Sequence, residues 1–317
     1  MRGIYVVAND SSEALCANLI YSIRKSGCNL PIRLIPFGGK PVQSNRVLKE
    51  VEVWNVERFP SDGQKFVGEL AEVLVDCPRG FLYRFLPWFS EWDEFIYTDN
   101  DVVALMNWEL LLDYLCDNYI VHADEEYITQ GLFNYEQPDK IEDEFGTGSL
   151  LSAMTAGHFA ARRDAKLVED MRKAIEWFKK NPAVAKKHDQ AFIHVASLIG
   201  NWSILNLCKS PHNWLSSWAG DYRNPLALMH ALQTGPAKRI SHLHFSGGRP
   251  IGTEPTADFL NSNLDTQQRT IHLTKLGLLQ LSGLVFVRRQ TNRIKNELRR
   301  RWKKVLASNE ICNLYII

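Results

Sequence analysis

The sequence predicts an α/β fold with a central, mostly parallel sheet flanked by helices. Three features point to it. Short runs of β-branched and aromatic residues alternate with stretches whose apolar residues recur at helical spacing. Gly, Pro, Asn, Asp and Ser mark the junctions between them. Polar residues stand where the strands end, and in such sheets ligands bind beyond the carboxyl ends of strands.

The elements follow in order. Ile4 to Ala8 is a short apolar strand ending in "NDSS". From Ser12, Leu15, Leu19 and Ile23 recur every fourth residue, so a helix follows with Ser11 or Ser12 at its N-cap and Gly27 at its end. "PIRLIPF" and "VEVWNV" read as two further strands. Glu69 to Trp88 reads as helix interrupted at Pro78 and Gly80, hence two shorter helices. "EFIYTD", "NYIVHA" and "AGHFAAR" are strands, and Ala165 to Lys180 is a helix. The polar stretch from Tyr127 to Ser152 shows no periodicity; a loop of that length reads as a lid over a site or as disorder.

Composition narrows the class. With 45% hydrophobic residues, 317 residues suffice for a substantial core. A formal net charge of +1 leaves no global signal for nucleic acid or membrane. The six cysteines are scattered, with no CxxC, which predicts reduced thiols and a cytoplasmic setting. The N-terminal apolar run, five residues long, falls short of a secretion signal. The later stretch from Ile271 to Val287 is too short and too polar to span a bilayer.

The sequence "FIYTDNDVVAL" concentrates the chemistry. Asp99, Asn100 and Asp101 interrupt its most core-like run, although Asp and Asn are depleted in strands. If the strand continues, Asp99 and Asp101 share a face with Cα atoms roughly 6.6 Å apart. Two carboxylates about 5 Å apart repel by ~3 kcal/mol at an effective dielectric of about 20. A proton, a basic residue or a divalent cation must offset this. Oxygen ligands facing one side suit Mg²⁺ or Mn²⁺ holding a diphosphate. The competing reading is a polar turn that caps the strand.

"WDEFIYTDNDVVAL" resembles the D-x-D segment of GT-A glycosyltransferases, most of all glycosyltransferase family 8. "IYVVANDSSEALCANLIYSIRKS" resembles that family's first strand and helix, and "FLYRF" supplies its arginine. "TAGHFAARRD" is similar to its "NAG" strand, "HDQAFIH" to its "DQD" helix, and "HLHFSGGRP" to its closing H-x-x-G-x-x-K-P segment. The six agree in order over roughly residues 4 to 250. The resemblance implies a GT-A domain over residues 1–260 and a retaining, Mn²⁺- or Mg²⁺-dependent hexosyltransferase using a UDP-sugar; the composition of the remainder reads as a helical basic extension over 261–317. Its partners would be a nucleotide-sugar donor and a saccharide or glycolipid acceptor.

Residue roles follow from the same resemblance. Asp99, Asp101 and His244 would ligate the metal, with His242 the alternative to His244 if the loop register shifts. Ala8 and Asn9 or Asp10 would meet the base and ribose; Arg84, Asp99, Asn100 and Gly247 would line the nucleotide-sugar site. Arg249, in place of the family's Lys, would hold phosphate bidentately. Thr155, Ala156 and Gly157 would line the sugar pocket, and Asp189 and Gln190 would flank the reacting face. The chain departs from the pattern at Ser12, Thr155 and Ile251, where the family carries a base-stacking aromatic residue, Asn and Trp. These departures support an alternative, a catalytically degenerate binding module. A third reading is a phosphatase of the haloacid-dehalogenase type, whose D-x-D-x-T/V start matches Asp99 to Val103 but whose later acidic pair has only Asp221 as a counterpart.

From Arg288 to Lys304 the chain carries nine Lys or Arg against one acid, with Ile294, Leu298, Trp302 and Val305 at helical spacing. Two readings stand level: a basic amphipathic helix on an anionic membrane surface, or a helix packed on the domain. Nucleic-acid binding is disfavoured, since the rest of the chain adds no net positive charge.

Overall fold

The computed structural model describes residues 1–38, 41–124, 134–218 and 239–245. The predicted boundary at 260/261, the basic tail, Asp221, Gly247, Arg249 and Ile251 lie outside the described residues. No helix among the described residues is long and apolar enough to cross a membrane.

The elements are, in order, β1 (Arg2–Ala8), α1 (Glu13–Lys25), β2 (Ile32–Pro36), α2 (Asn45–Leu48), β3 (Glu52–Val53), α3 (Ser61–Val73) and α4 (Arg79–Leu82). Then come β4 (Glu94–Thr98), β5 (Val102–Ala104), α5 (Glu109–Leu112), β6 (Ile120–His122) and α6 (Pro138–Phe145). The last are β7 (His158–Arg162), α7 (Ala165–Lys180), α8 (Asp189–Gly200), β8 (Ile204–Asn206) and β9 (His242–His244). Seven strands form the main sheet in the order β3-β2-β1-β4-β7-β6-β8. β3, β2, β1 and β4 are parallel, β7 runs antiparallel to β4 and β6, and β8 is parallel to β6. The mixed α/β architecture with a mostly parallel sheet is as expected.

Helices cover both faces, which is why the strands read as nearly continuous apolar runs. Strand alternation sends Tyr5, Phe95, Tyr97 and Phe159 to one face, where they pack with Phe66 of α3, Met171 of α7 and Phe192 of α8. Ile4, Val6 and Ile96 go to the other, against Leu19, Ile20 and Ile23 of α1.

Four expectations change. The strand containing the D-x-D does not run through it: β4 stops at Thr98, and β5 pairs with β9 in a separate two-stranded antiparallel sheet. "VEVWNV" shrinks to two residues because the chain turns after Val53 into a 3-10 segment. That turn stacks Trp54 between the guanidiniums of Arg33 (3.4 Å) and Arg58 (3.7 Å). The helix expected from Glu69 begins at Ser61 and ends at Val73, and Tyr83–Phe89 is 3-10 rather than α. Of the unassigned stretch, residues 134–152 are folded: they contain α6 and a 3-10 turn at Ser149–Ser152. His194 of α8 anchors them through Tyr135 Oη (2.7 Å) and Ser152 Oγ (3.0 Å).

The cysteines at 16, 28, 77, 116 and 208 are free thiols. Cys16, Cys28 and Cys77 are buried, and burial pushes Cys16 up to about 12 and Cys77 up to about 11.

Candidate functional site

The carboxyl ends of β1 and β4, neighbours in the sheet, present the polar residues. Asn100 Nδ2 donates to the Val7 carbonyl (3.2 Å) and ties the two ends together. Ala8 is buried, Asn9 half-buried and Asp10 exposed. The Asn9 side-chain oxygen accepts from the hydroxyls of Ser11 (2.7 Å) and Ser12 (3.3 Å). Ser12, standing where an aromatic residue was expected, therefore shapes the turn between β1 and α1.

The D-x-D is a corner between the two sheets. The Asp99 amide donates to the Gly157 carbonyl (2.7 Å), and the Asp101 carbonyl accepts from the Phe245 amide (3.0 Å). These bonds bring β7 and β9 against the corner. Register then decides which histidine meets it. β9 pairs with β5 so that His244 lies opposite Val102 and His242 opposite Ala104. His244 Nε2 is thus 3.4 Å from Asp101 Oδ1 and 3.9 Å from Asp99 Oδ2. Ligand atoms of all three residues lie within 4.8 Å of one another.

His242, on the same face, sits one pair deeper. Its ring lies on that of His158 (centroids 3.8 Å apart), its Nδ1 bonds Ser241 Oγ (2.7 Å), and its Nε2 is 3.7 Å from Asp124 Oδ1. Burial holds its pKa well below the usual histidine range. Of the two, His244 is the one grouped with the aspartates.

The repulsion between the aspartates is met by one basic residue each. Buried Arg84 places Nη2 at 3.2 Å from Asp99 Oδ1 and Nη1 at 2.7 Å from Asp189 Oδ2. It also donates to the carbonyls of Ala156 (2.5 Å) and Phe81 (2.9 Å). Every nitrogen of the guanidinium is committed, so Arg84 fixes two carboxylates and one wall of the site. His244 serves Asp101. Burial pushes the imidazole pKa down, but Asp101, Asp124 and Asp99 outweigh burial and raise it to about 9. Asp99 is raised by burial, against the pull of Arg84. At Asp101 burial is outweighed by His244, and its pKa is lowered.

Among the described residues, four carboxylates (Asp99, Asp101, Asp124, Asp189) thus share two cations, Arg84 and protonated His244. Asp101 Oδ1 is buried and, among the described residues, has His244 Nε2 at 3.4 Å as its charge partner but accepts no well-aligned hydrogen bond. Two carboxylate oxygens and one imidazole nitrogen, converging with surplus negative charge, fit a hard divalent cation such as Mn²⁺ or Mg²⁺.

Gly157 has a specific reason to be glycine: a Cβ there would run into the His244 imidazole. Ala156 is buried and offers its carbonyl to Arg84. The Thr155 hydroxyl donates to Asp124 Oδ2. Asp189 begins α8, with His188 at the N-cap accepting from the Ala191 amide (3.3 Å), and Gln190 follows half-buried on the first turn.

Sequence reasoning missed Asp124. It is buried at the end of β6 beside His242 and Thr155, and burial raises its pKa. The available signal was an acidic residue directly after the apolar run "YIVHA", the same logic that singled out Asp99.

Neither a protein-family model nor a curated protein matches the sequence. Solved structures do. The apo bifunctional glycosyltransferase WbbM matches over 88% of this chain and 51% of its own, with 13% identity and a TM-score of 0.52. The chain therefore spans about half the length of that protein. Galactosyltransferase LgtC in complex with donor and acceptor sugar analogs matches over 86% of this chain and 97% of its own (13% identity, TM-score 0.48). Apo mouse xyloside xylosyltransferase 1 matches over 79% and 99% (11% identity, TM-score 0.49). The fold is that of GT-A glycosyltransferases.

Proposed function

We propose that the chain is a retaining glycosyltransferase that moves a hexose, glucose or galactose, from a UDP-sugar to a glycan or lipid-linked saccharide. The observation that supports this most is the convergence of Asp99, Asp101 and His244 at the carboxyl end of the sheet in a GT-A fold. Mn²⁺ or Mg²⁺ held by these three residues would supply the positive charge against which a diphosphate leaves.

The remaining roles belong to the protein. Asn9, its side-chain oxygen engaged by Ser11 and Ser12, would offer its amide nitrogen to a carbonyl of the base. Thr155, Ala156 and Gly157 would wall the sugar, Asp124 would accept from it, and Arg249 would hold a phosphate bidentately. Asp189, fixed by Arg84, and Gln190 would flank the anomeric carbon as an acceptor hydroxyl attacks from the leaving-group face. Arg84 would act by positioning Asp99 and Asp189 rather than by touching the donor.

A screen of nucleotide sugars with Mn²⁺, scored by thermal shift and by hydrolysis, tests the reading. Metal-dependent hydrolysis of a UDP-hexose supports it. Binding without turnover in the presence of saccharide acceptors would replace it with the binding-module reading.

A further inference from the structure

A cleft apart from the Asp99–Asp101–His244 cluster opens at the carboxyl ends of β2 and β3. Its volume is about 360 Å³, within the roughly 300–1,000 Å³ of small-molecule sites. Phe37, Asn55, Glu57, Gln64, Arg79 and Tyr83 are among the residues that line it.

Its wall is built rather than incidental. α4 closes directly onto the Phe37 ring, and a Cβ at Gly80 would overlap that ring. Gln64 Nε2 donates to the Phe59 carbonyl (2.8 Å) and secures the turn that carries Asn55 and Glu57. The side chains of Asn55, Glu57, Arg79 and Tyr83 make no hydrogen bond or ion pair with any described residue. Among the described residues, an amide, a carboxylate, a guanidinium and a phenol are thus left without a partner beside the rings of Phe37 and Tyr83.

We propose that this cleft is a saccharide subsite, which holds sugar units of the acceptor remote from the reacting hydroxyl. The inference rests on the transferase reading and adds to it where the acceptor lies and what chemistry it has. A sugar ring has a rim of hydroxyls and apolar C–H faces, and the cleft offers planar hydrogen-bonding groups beside aromatic surfaces. Among the described residues, one acid, Glu57, and one base, Arg79, leave the lining without net charge, which suits a neutral saccharide better than a phosphate or polyanion.

Position agrees with this assignment. Pro36 lies in register opposite Ala8, so the cleft adjoins the end of β1. Phe37, Val56 and Tyr83 pack on the sheet face that carries α8 and Asp189, opposite the face covered by α1. Tyr83 lines the cleft, and the next residue, Arg84, holds Asp99 and Asp189. With the base at the β1–α1 turn, an acceptor would approach from the α8 side.

The test presents the full-length protein with short neutral oligosaccharides on a glycan array. The strongest ligand is then titrated into wild type, Asn55→Ala and Arg79→Ala. Both residues are exposed, and unchanged thermal midpoints would establish that the variants fold. The expected result is binding to at least one oligosaccharide, weakened about tenfold or more by each substitution. Hydrolysis of UDP-hexose without acceptor should stay at the wild-type level. Absence of binding to every oligosaccharide, or binding that survives both substitutions, would overturn the proposal while leaving the donor site standing. Variant-sensitive binding in a protein that hydrolyses no nucleotide sugar would keep the subsite and remove the transferase reading.

Discussion

Arg84 stands between Asp99 and Asp189, with guanidinium nitrogens 3.2 and 2.7 Å from their carboxylates. The arginine is 4% exposed, Asp99 28% and Asp189 13%. One buried cation thereby joins the D-x-D corner to the first turn of α8.

Replacing Arg84 with Ala should leave two carboxylates facing one another without compensation. Removing one partner of a buried pair typically destabilises by about 3–5 kcal/mol. Denaturant midpoints should show a loss of that order, and adding Asp99→Asn and Asp189→Asn should recover part of it. A loss well under 1 kcal/mol would mean that the carboxylates are solvated or protonated without Arg84.

Gly157→Ala should displace His244 and spare the fold around it. Overpacking costs typically about 1–3 kcal/mol, so the protein should still fold. Mn²⁺ affinity, followed by calorimetry or by the loss of the free-ion spectrum, should fall at least tenfold. Unchanged affinity would show that the imidazole yields without leaving the aspartates.

Metal binding should tighten with pH. A ligating imidazole must be deprotonated, and in the metal-free protein His244 holds its proton up to about 9. Between pH 6.5 and 8.5 the apparent Mn²⁺ association constant should rise about tenfold per pH unit. His244→Asn should flatten that slope. Without metal the same group acts in the opposite sense on stability. Its folded pKa is raised, so its contribution is full below the unfolded value near 6.5 and is lost as pH rises through about 9.

The buried histidines should make the fold sensitive to acid. Burial lowers His122 and His158 to about 3 and His194 to about 4. The unfolded chain binds these protons more readily, so stability should fall as pH drops from about 6.5 towards those values. His194→Phe should reduce that acid sensitivity. It should also speed hydrogen exchange across residues 134–152, whose contacts with Tyr135, Ser149 and Ser152 it removes.

What the sequence revealed depended on how local the cause was. α7 matched Ala165 to Lys180 residue for residue, because its apolar stripe and the Asp164 cap are written within the segment. The Asp99–Asp101 spacing singled out this stretch, but the strand expected through it ends at Thr98 and the residues turn, as the competing reading had it: β9, more than 130 residues later, pairs with β5 and turns the chain into a second sheet. Arg84 and His244 were named through the family resemblance, as a donor-site residue and a metal ligand, but not as the charges that offset the aspartates, since both reach them only through tertiary structure. Asp124 escaped notice for the same reason, its partners Thr155 and His242 being remote in sequence. The shortening of β3 was hidden by cation–π stacking of Trp54 with Arg33 and Arg58. The folding of residues 134–152 was hidden by one histidine on α8.

Turnover of a UDP-hexose with and without Mn²⁺, in wild type and in Asp101→Asn, tests the central claim most directly. The substitution keeps the shape of the side chain and removes the charge beside His244. Wild type should turn the donor over only with the metal, and the variant should be inactive with an unchanged thermal midpoint or one shifted by a few degrees. Undiminished, metal-dependent activity in Asp101→Asn would contradict the assignment of this corner as the catalytic centre.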